Sequence, residues 1–379
     1  MGRDLFAFFI GMLIILPVIF LVVLLGAHTI LAFSVIHFFD IVSSVQRFWL
    51  LSSTLVLSVS FMTTSLLVYW KDISLTRFLY LLAGFWLGLL VQLLIAVVLI
   101  WCVVLLAPQI GWEHPHTAFL ASSFFSIALI ISLFGTWNAF HPRVKEITVR
   151  IPGLPEIWKG KRIVQLSDIH LGEVYRTNFL KGIVNQVNAL QPECVVITGD
   201  LFDGANDHLD ILASPLAEMR SNKGIYFVTG NHETYIGVDT AKQALSTLPI
   251  RVLENEVLDV DGLALIGLSY PERGVSWNMA DLLKQLHPSF DGKPNVLLVH
   301  APTHIEMFKS AGINLQLSGH THLGQLFPFS FITKSLYHGY DYGLYQDGAY
   351  TLYTTNGIGT WGPPMRVGNT PEIVSITLK

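Results

Sequence analysis

Four stretches without one Asp, Glu, Lys or Arg fill most of the first 141 residues of this 379-residue chain. They run over residues 5–39, 48–70, 78–112 and 117–141. Each exceeds the roughly 20 residues an α-helix needs to cross a bilayer. A soluble reading fails, because no globular domain of this size could cover so much apolar surface, and four membrane-spanning helices are expected. The first stretch is too long for the apolar part of a cleaved signal peptide. Pro17, His28 and His37 lie inside it and leave three arrangements open: one tilted helix, a helix with a re-entrant piece, or two short spans.

Basic residues orient such an array. With four spans and the N-terminus inside, Arg3, Lys71, Arg77, Arg143, Lys145 and Arg150 fall on the cytoplasmic side and only Arg47 outside. That asymmetry follows the positive-inside rule. The expected location is a multi-pass inner or plasma membrane, with everything after residue 141 in the cytoplasm. Cys102 lies in a predicted span and Cys194 in a predicted strand, so the two cannot pair, which fits a reducing compartment. The spans carry no acid or strong base that could line an ion pathway and read as an anchor or lipid-facing scaffold. Several of Trp49, Trp70, Trp86, Trp101 and Trp112 lie near span ends, where interfacial anchoring is normal. The serines and threonines at 52–54 and 63–65 are expected to support helix packing.

The chain changes character after residue 141. Pro152, Gly153, Pro155 and Gly160 mark residues 142–161 as a short extended connection. Residues 142–379 are enough to bury a full core as one domain, with residues 1–141 forming the membrane region. Of the chain's 23 basic and 27 acidic residues, four of each precede residue 142, leaving 19 and 23 in the second domain. That balance lacks the basic excess of a nucleic-acid binder, and no nucleic-acid partner is expected.

Five short clusters of acid, asparagine and histidine follow one another in this second domain. They are Asp168 with His170, Asp200, Asn231-His232-Glu233, His300, and His320 with His322. Each follows a strand-like apolar run, at 162–167, 194–198, 225–229, 296–299 and 314–318. A single buried histidine is usually a packing residue, and a single Asp after a strand usually a cap or turn former. Five clusters that all sit at strand ends are different, because ligands there converge on one crevice. Gly199, Gly230 and Gly319 precede three of them and permit sharp turns. Carboxylate oxygen and neutral imidazole nitrogen suit Mn²⁺, Fe and Zn²⁺, so two divalent ions are the expected cofactors, Mn²⁺ first.

The ordered pattern D-x-H, G-D, G-N-H-E, H, G-H-x-H resembles the calcineurin-like metallophosphoesterase family over residues 142–379. The tail from Asn356 to Arg366, followed by Pro371, also resembles the membrane-associated YkuE/YaeI-like branch. The resemblance implies an α/β fold, a double-sheet αββα sandwich, here preceded by the four-helix transmembrane region. It implies that Asp168, His170 and His322 hold one metal, that Asn231, His300 and His320 hold the second, and that Asp200 bridges them. His232, assigned to neither ion, would protonate the leaving oxygen or stabilise charge on phosphorus. Helices are expected near 177–190, 207–221, 239–248 and 276–287. Asp203 and Glu233 read either as acceptors that orient histidine ligands or as solvated acids. Asp207 and His208 read as a helix start without chemistry. His287, His304 and His338 read as surface or packing residues, and Arg176 and Arg366 as side chains that could reach a phosphate.

The implied activity is hydrolysis of a phosphoester or pyrophosphate bond at the membrane surface. An apolar segment, 326–332 with Leu336 and Tyr337, follows the ligands His320 and His322. It could dip into the bilayer, line an acyl-chain groove, or pack internally. A lipid-linked substrate such as UDP-2,3-diacylglucosamine is one expectation and a soluble nucleotide-type phosphodiester another. A non-catalytic scaffold would be favoured by loss of His232 or the bridging acid, and both are present.

Overall fold

The computed structural model describes residues 2–112, 115–204, 208–272 and 278–379, with side chains from Ile15 onward. It divides into two compact units, Met1–Gly135 and Thr136–Lys379.

The first unit is helical, as its apolar runs demand. The helices are α1 (Gly2–Phe38), α2 (Ser44–Trp70), α3 (Ser74–Leu106) and α4 (Thr117–Ala139), the last extending past the unit boundary. All four are long and apolar enough to cross a membrane. The alternatives for the first stretch resolve into one continuous helix with Pro17 inside it. Two tryptophans do more than mark an interface. The Trp86 indole N–H donates to His28 Nε2 at 2.9 Å, and the Trp101 indole N–H donates to Ser34 Oγ at 3.1 Å, tying α3 to α1. Thr54, Thr64 and Ser65 instead donate to carbonyls of their own helix, the usual recourse of a hydroxyl in an apolar helix.

The second unit begins with a difference from the sequence reading. Part of the expected connection is a strand, β1 (Arg143–Val149), paired in parallel with the chain's last strand over seven residues, from Arg143↔Glu372 to Val149↔Leu378. The remaining elements, in order, are β2 (Arg162–Leu166), α5 (Thr177–Ala189), β3 (Cys194–Thr198), α6 (Leu209–Ala213), β4 (Ile225–Val228), α7 (Asn231–Ile236), α8 (Val238–Leu245), β5 (Ile250–Val252), β6 (Glu256–Val260), β7 (Leu263–Gly267), α9 (Met279–Phe290), β8 (Asn295–Leu298), α10 (Ile305–Ser310), β9 (Leu315–Ser318), α11 (Ser330–Leu336), β10 (Gly343–Asp347), β11 (Tyr350–Thr354) and β12 (Glu372–Leu378). The helix expected over 207–221 is shorter: α6 tightens into a 3₁₀ turn at Ser214–Glu218, where Pro215 cannot donate the next helical hydrogen bond. The expected helix starts at Asp207 and Ser276 lie outside the described residues.

The strands form two six-stranded sheets, ordered β1-β12-β2-β3-β4-β5 and β10-β11-β9-β8-β7-β6. Strands β2 to β5 run parallel, as do β7, β8, β9 and β11. Alternate side chains show how the layers stack. Ile163, Cys194 and Val196 face a core shared with Leu265, Val296, Leu298 and Leu317 of the other sheet. Their neighbours Val164, Leu166, Val195 and Ile197 pack outward against Leu180, Ile183 and Val187 of α5. Leu297 and Ile266 likewise pack outward against Leu283 and Phe290 of α9. The result is helix, sheet, sheet, helix. Strands covered on both faces read as continuous apolar runs, which is why they were visible in the sequence.

Candidate metal centre

Each cluster of candidate ligands leaves the C-terminal end of a strand. Asp168 and His170 follow β2, Asp200 follows β3, Asn231 opens α7 after β4, His300 follows β8, and His320 and His322 follow β9. The two sheets therefore contribute jointly to one site. Five of these residues adopt the left-handed backbone region: Asp168 (φ 53°), His170 (φ 53°), Asp200 (φ 50°), His320 (φ 72°) and His322 (φ 50°). Such a conformation costs a non-glycine residue about 1–3 kcal/mol and persists only where its surroundings enforce it.

Two glycines matter for a reason other than turn flexibility. A Cβ on Gly319 would lie 2.0 Å from Ser167 Oγ and 2.3 Å from Asp168 Oδ2, and one on Gly230 would lie 2.2 Å from Asp200 Oδ1. Here glycine permits close approach of backbone to ligand.

Glu233 enforces the turn at Asp200. Its buried carboxylate accepts backbone N–H bonds from Gly230 (2.7 Å), Asp200 (3.0 Å), Leu201 (2.9 Å) and Phe202 (3.2 Å). It neither orients a histidine nor faces solvent, so both sequence readings of it are replaced by a third: it pins the β3 loop to α7. Burial and the Asp200 charge raise its pKa to about 7.

The candidate ligands converge in two groups, Asp168 with His170 and His322, and Asn231 with His300 and His320, with Asp200 between them; His232 also lies within ligand reach of His170 and Asp200. In the first, His170 Nε2 and His322 Nε2 are 3.1 Å apart, and His322 Nε2 is 3.3 Å from Asp168 Oδ1. In the second, His300 Nε2 lies 3.1 Å from Asn231 Oδ1 and 3.0 Å from His320 Nδ1. Asp200 Oδ2 stands 3.1 Å from His300 Nε2 and 3.9 Å from His170 Nε2. The other oxygen, Oδ1, accepts the His232 backbone N–H at 2.9 Å. One carboxylate oxygen, not two, thus faces both groups.

The donor chemistry fits a cation. His300 Nδ1 lies 2.8 Å from the Thr198 carbonyl, which fixes its proton on that side in the neutral ring. The lone pair on Nε2 then faces an amide oxygen, a carboxylate oxygen and another imidazole nitrogen. Acceptors crowded around one point without a shared proton require a positive charge there. Protonation shows the same demand for charge: burial lowers the His300 pKa, but the Asp200 carboxylate overrides it and lifts the value to about 10, so Nε2 holds a proton at neutral pH that a metal ion would have to displace. Burial, with neighbouring imidazoles, drops His170 to about 3 and His320 to about 4, so both rings are neutral, the form that ligates metals. Burial would raise Asp168, yet the surrounding histidines hold its carboxyl well below the usual carboxylate range.

His232 is placed differently. Its Nδ1 lies 3.1 Å from Asp203 Oδ1, and burial is outweighed by Asp203 and Asp200, which raise its pKa. Asp203 thus orients His232, which the sequence reading assigned to neither metal, instead of one of the histidines it assigned as ligands. Arg366 is wholly buried behind His322, with Nη2 3.2 Å from His322 Nδ1 and Nε donating to the Gly359 carbonyl at 3.1 Å. It does not line the cavity over the donor groups, and neither does Arg176. His287 is near Asp291 at 3.8 Å, and His304 precedes α10, both away from the site.

A cavity of about 720 Å³ opens over the two groups. His170, Asp200, Asn231, His232, His320 and His322 line it, together with Phe329, Ile332, Leu336, Tyr337 and Trp361. The apolar segment after His322 therefore flanks the site, and 330–336 forms the helix α11. Among its aromatic residues, Trp361 belongs to the tail Asn356–Arg366 that carried the branch resemblance, but nothing in the sequence signalled that it lines the site, 39 residues beyond His322.

Residues 161–324 match the calcineurin-like phosphoesterase family. An uncharacterized metallophosphoesterase of Helicobacter pylori (strain J99) is 35% identical over 265 residues, covering 68% of this chain and 70% of that protein. A transmembrane protein with metallophosphoesterase domain from Danio rerio is 36% identical over 273 residues, covering 67% and 61%. The uncharacterized metallophosphoesterase YkuE of Bacillus subtilis is 30% identical over 249 residues, covering 62% and 84%.

Proposed function

We propose, since this chain belongs to the calcineurin-like metallophosphoesterase family and is a metal-dependent phosphoester hydrolase, that it works through two metal ions at a membrane surface on a lipid-linked phosphoester or phosphoanhydride. The observation that carries this reading is the overlap of three donor groups, Asp168–His170–His322, His170–Asp200–His232 and Asp200–His300–His320, with Asp200 Oδ2 between His300 and His170. Asp168, His170 and His322 would hold one ion, and Asn231, His300 and His320 the other. When bound, the ions would polarise the phosphoryl oxygens and lower the pKa of an attacking water. Oxygen and imidazole donors without thiolate favour Mn²⁺, with Fe or Zn²⁺ as alternatives.

The side chains supply the rest. Asn231 offers a neutral amide oxygen, which keeps the site from becoming too negative to admit a phosphate. His232, held by Asp203, presents its other ring nitrogen as proton donor to the leaving oxygen. Asp203→Asn should lower kcat by about 10- to 100-fold, the usual cost of losing an orienting partner, while metal content stays unchanged. A loss of metal in that variant would place Asp203 among the ligands instead.

Four helices able to span a bilayer, together with the apolar cavity wall, favour a lipid-linked substrate, of which UDP-2,3-diacylglucosamine is one candidate. The basic residues favour a cytoplasmic catalytic unit. A second reading, a soluble nucleotide-type phosphodiester, draws on Tyr235, whose ring lies 5.4 Å from that of His232, and on Tyr337, 6.1 Å from His320, as stacking surfaces for a base. Purified full-length protein with Mn²⁺ should cleave a lipid-linked phosphoester faster than a nucleotide diester, and chelation should abolish both activities. The reverse preference would favour the second reading.

A further inference from the structure

The cavity over the donor groups has two chemically distinct sides. One is the imidazole and carboxylate floor. The other is a stripe along α11 and the residue before it: Phe329, Ile332, Thr333 and Leu336, spaced i, i+3, i+4, i+7 and therefore on one helix face. Ile332 is 54% exposed, Leu336 67%, and Trp361, also in the lining, 56%. These side chains are left bare beside a site that handles phosphate.

The stripe is fixed relative to the ligands. Thr321, between His320 and His322, donates through Oγ1 to the Asp341 carbonyl at 2.6 Å. Thr333 of α11 donates through Oγ1 to Asp341 Oδ2 at 3.1 Å. Asp341 therefore ties the wall to the turn that carries two candidate ligands, and a preformed wall loses little entropy when it binds.

Charge on the lining narrows the occupant further. Among the described residues that line the cavity there is no lysine or arginine. Arg366 is sealed behind His322. A dianionic monoester would find no lysine or arginine in the lining for the second charge on its phosphorus.

We propose that this cavity selects a disubstituted phosphoryl group, with one negative charge on the phosphorus attacked, and an aliphatic substituent lying along Ile332, Leu336 and Trp361. The inference rests on the hydrolytic reading above and adds the substrate class. Phe327 and Phe331, paired edge to face at 5.8 Å, lie outside the lining and are not required for it.

Alkyl nitrophenyl phosphates from methyl to hexyl, all water-soluble below micelle formation, test this with full-length protein and Mn²⁺. kcat/KM should rise with chain length, by up to about fourfold per methylene buried. Nitrophenyl phosphate, the monoester, should be the poorer substrate. In Ile332→Gln/Leu336→Gln the hexyl-to-methyl ratio should fall by about tenfold or more, and Leu336→Met should retain it. Equal rates for hexyl and methyl esters in the wild type, equal loss of both in the variant, or preference for the monoester would overturn the proposal. Failure to cleave any ester would overturn the hydrolytic reading itself, and this inference with it.

Discussion

Asp200→Asn lowers kcat/KM on a soluble nitrophenyl phosphodiester by on the order of 10³-fold or more, since a metal clamp supplies several kcal/mol to the transition state. The geometry explains why this position outranks the others. Asp200 Oδ2 faces His300 at 3.1 Å and His170 at 3.9 Å, one from each donor group, whereas the remaining ligands face one group only. An amide there retains an oxygen for the His232 backbone N–H but removes the charge both groups share. His170→Ala, which strips one ligand from one group, should cost less. Activity unchanged in Asp200→Asn would remove the binuclear assignment.

His232→Gln separates chemistry from binding. It should lower kcat by on the order of 10²–10⁴-fold, as expected for loss of a general acid, with metal content near normal. The ring stands within ligand reach of His170 and Asp200 but is not needed to complete either set of three donors beside Asp200. Its Nδ1 is committed to Asp203, and the two nearby carboxylates hold it more basic than a free histidine. The defect should shrink on esters with good leaving groups, which need little protonation. If the variant instead loses one ion per chain, His232 is a ligand and its catalytic role is wrong.

The parts of this fold that were legible share a physical cause. Strands β2, β3, β4, β8 and β9 are buried on both faces, so their apolar runs stand out, and each is followed by one or more residues that can ligate a metal. The edge strand β1 was read as part of a connection because Pro152, Gly153, Pro155 and Gly160 follow it, and its first four residues are exposed. Its hydrogen-bonding partner β12 lies more than 200 residues away, a distance no local pattern encodes.

Within the site, residue types were visible but their backbone states were not. Left-handed φ at Asp168, His170, Asp200, His320 and His322 is enforced by surrounding packing, not announced by glycine at those positions. Gly230 and Gly319 were read as turn formers, yet each is required because a ligand side chain occupies the space of its Cβ. Glu233 was misread because a carboxylate collecting four backbone N–H groups looks, in sequence, like any acid next to a histidine. Arg366 could be placed only when the loop before β12 was seen to return behind His322.

The metal content of the purified full-length protein tests the central claim most directly. After loading with Mn²⁺ and removal of free ion, elemental analysis of the wild type should find two ions per chain, and Asp200→Asn should hold fewer, with activity falling in parallel. One ion per chain in a fully active wild type, or full activity after exhaustive chelation, would contradict the two-metal account.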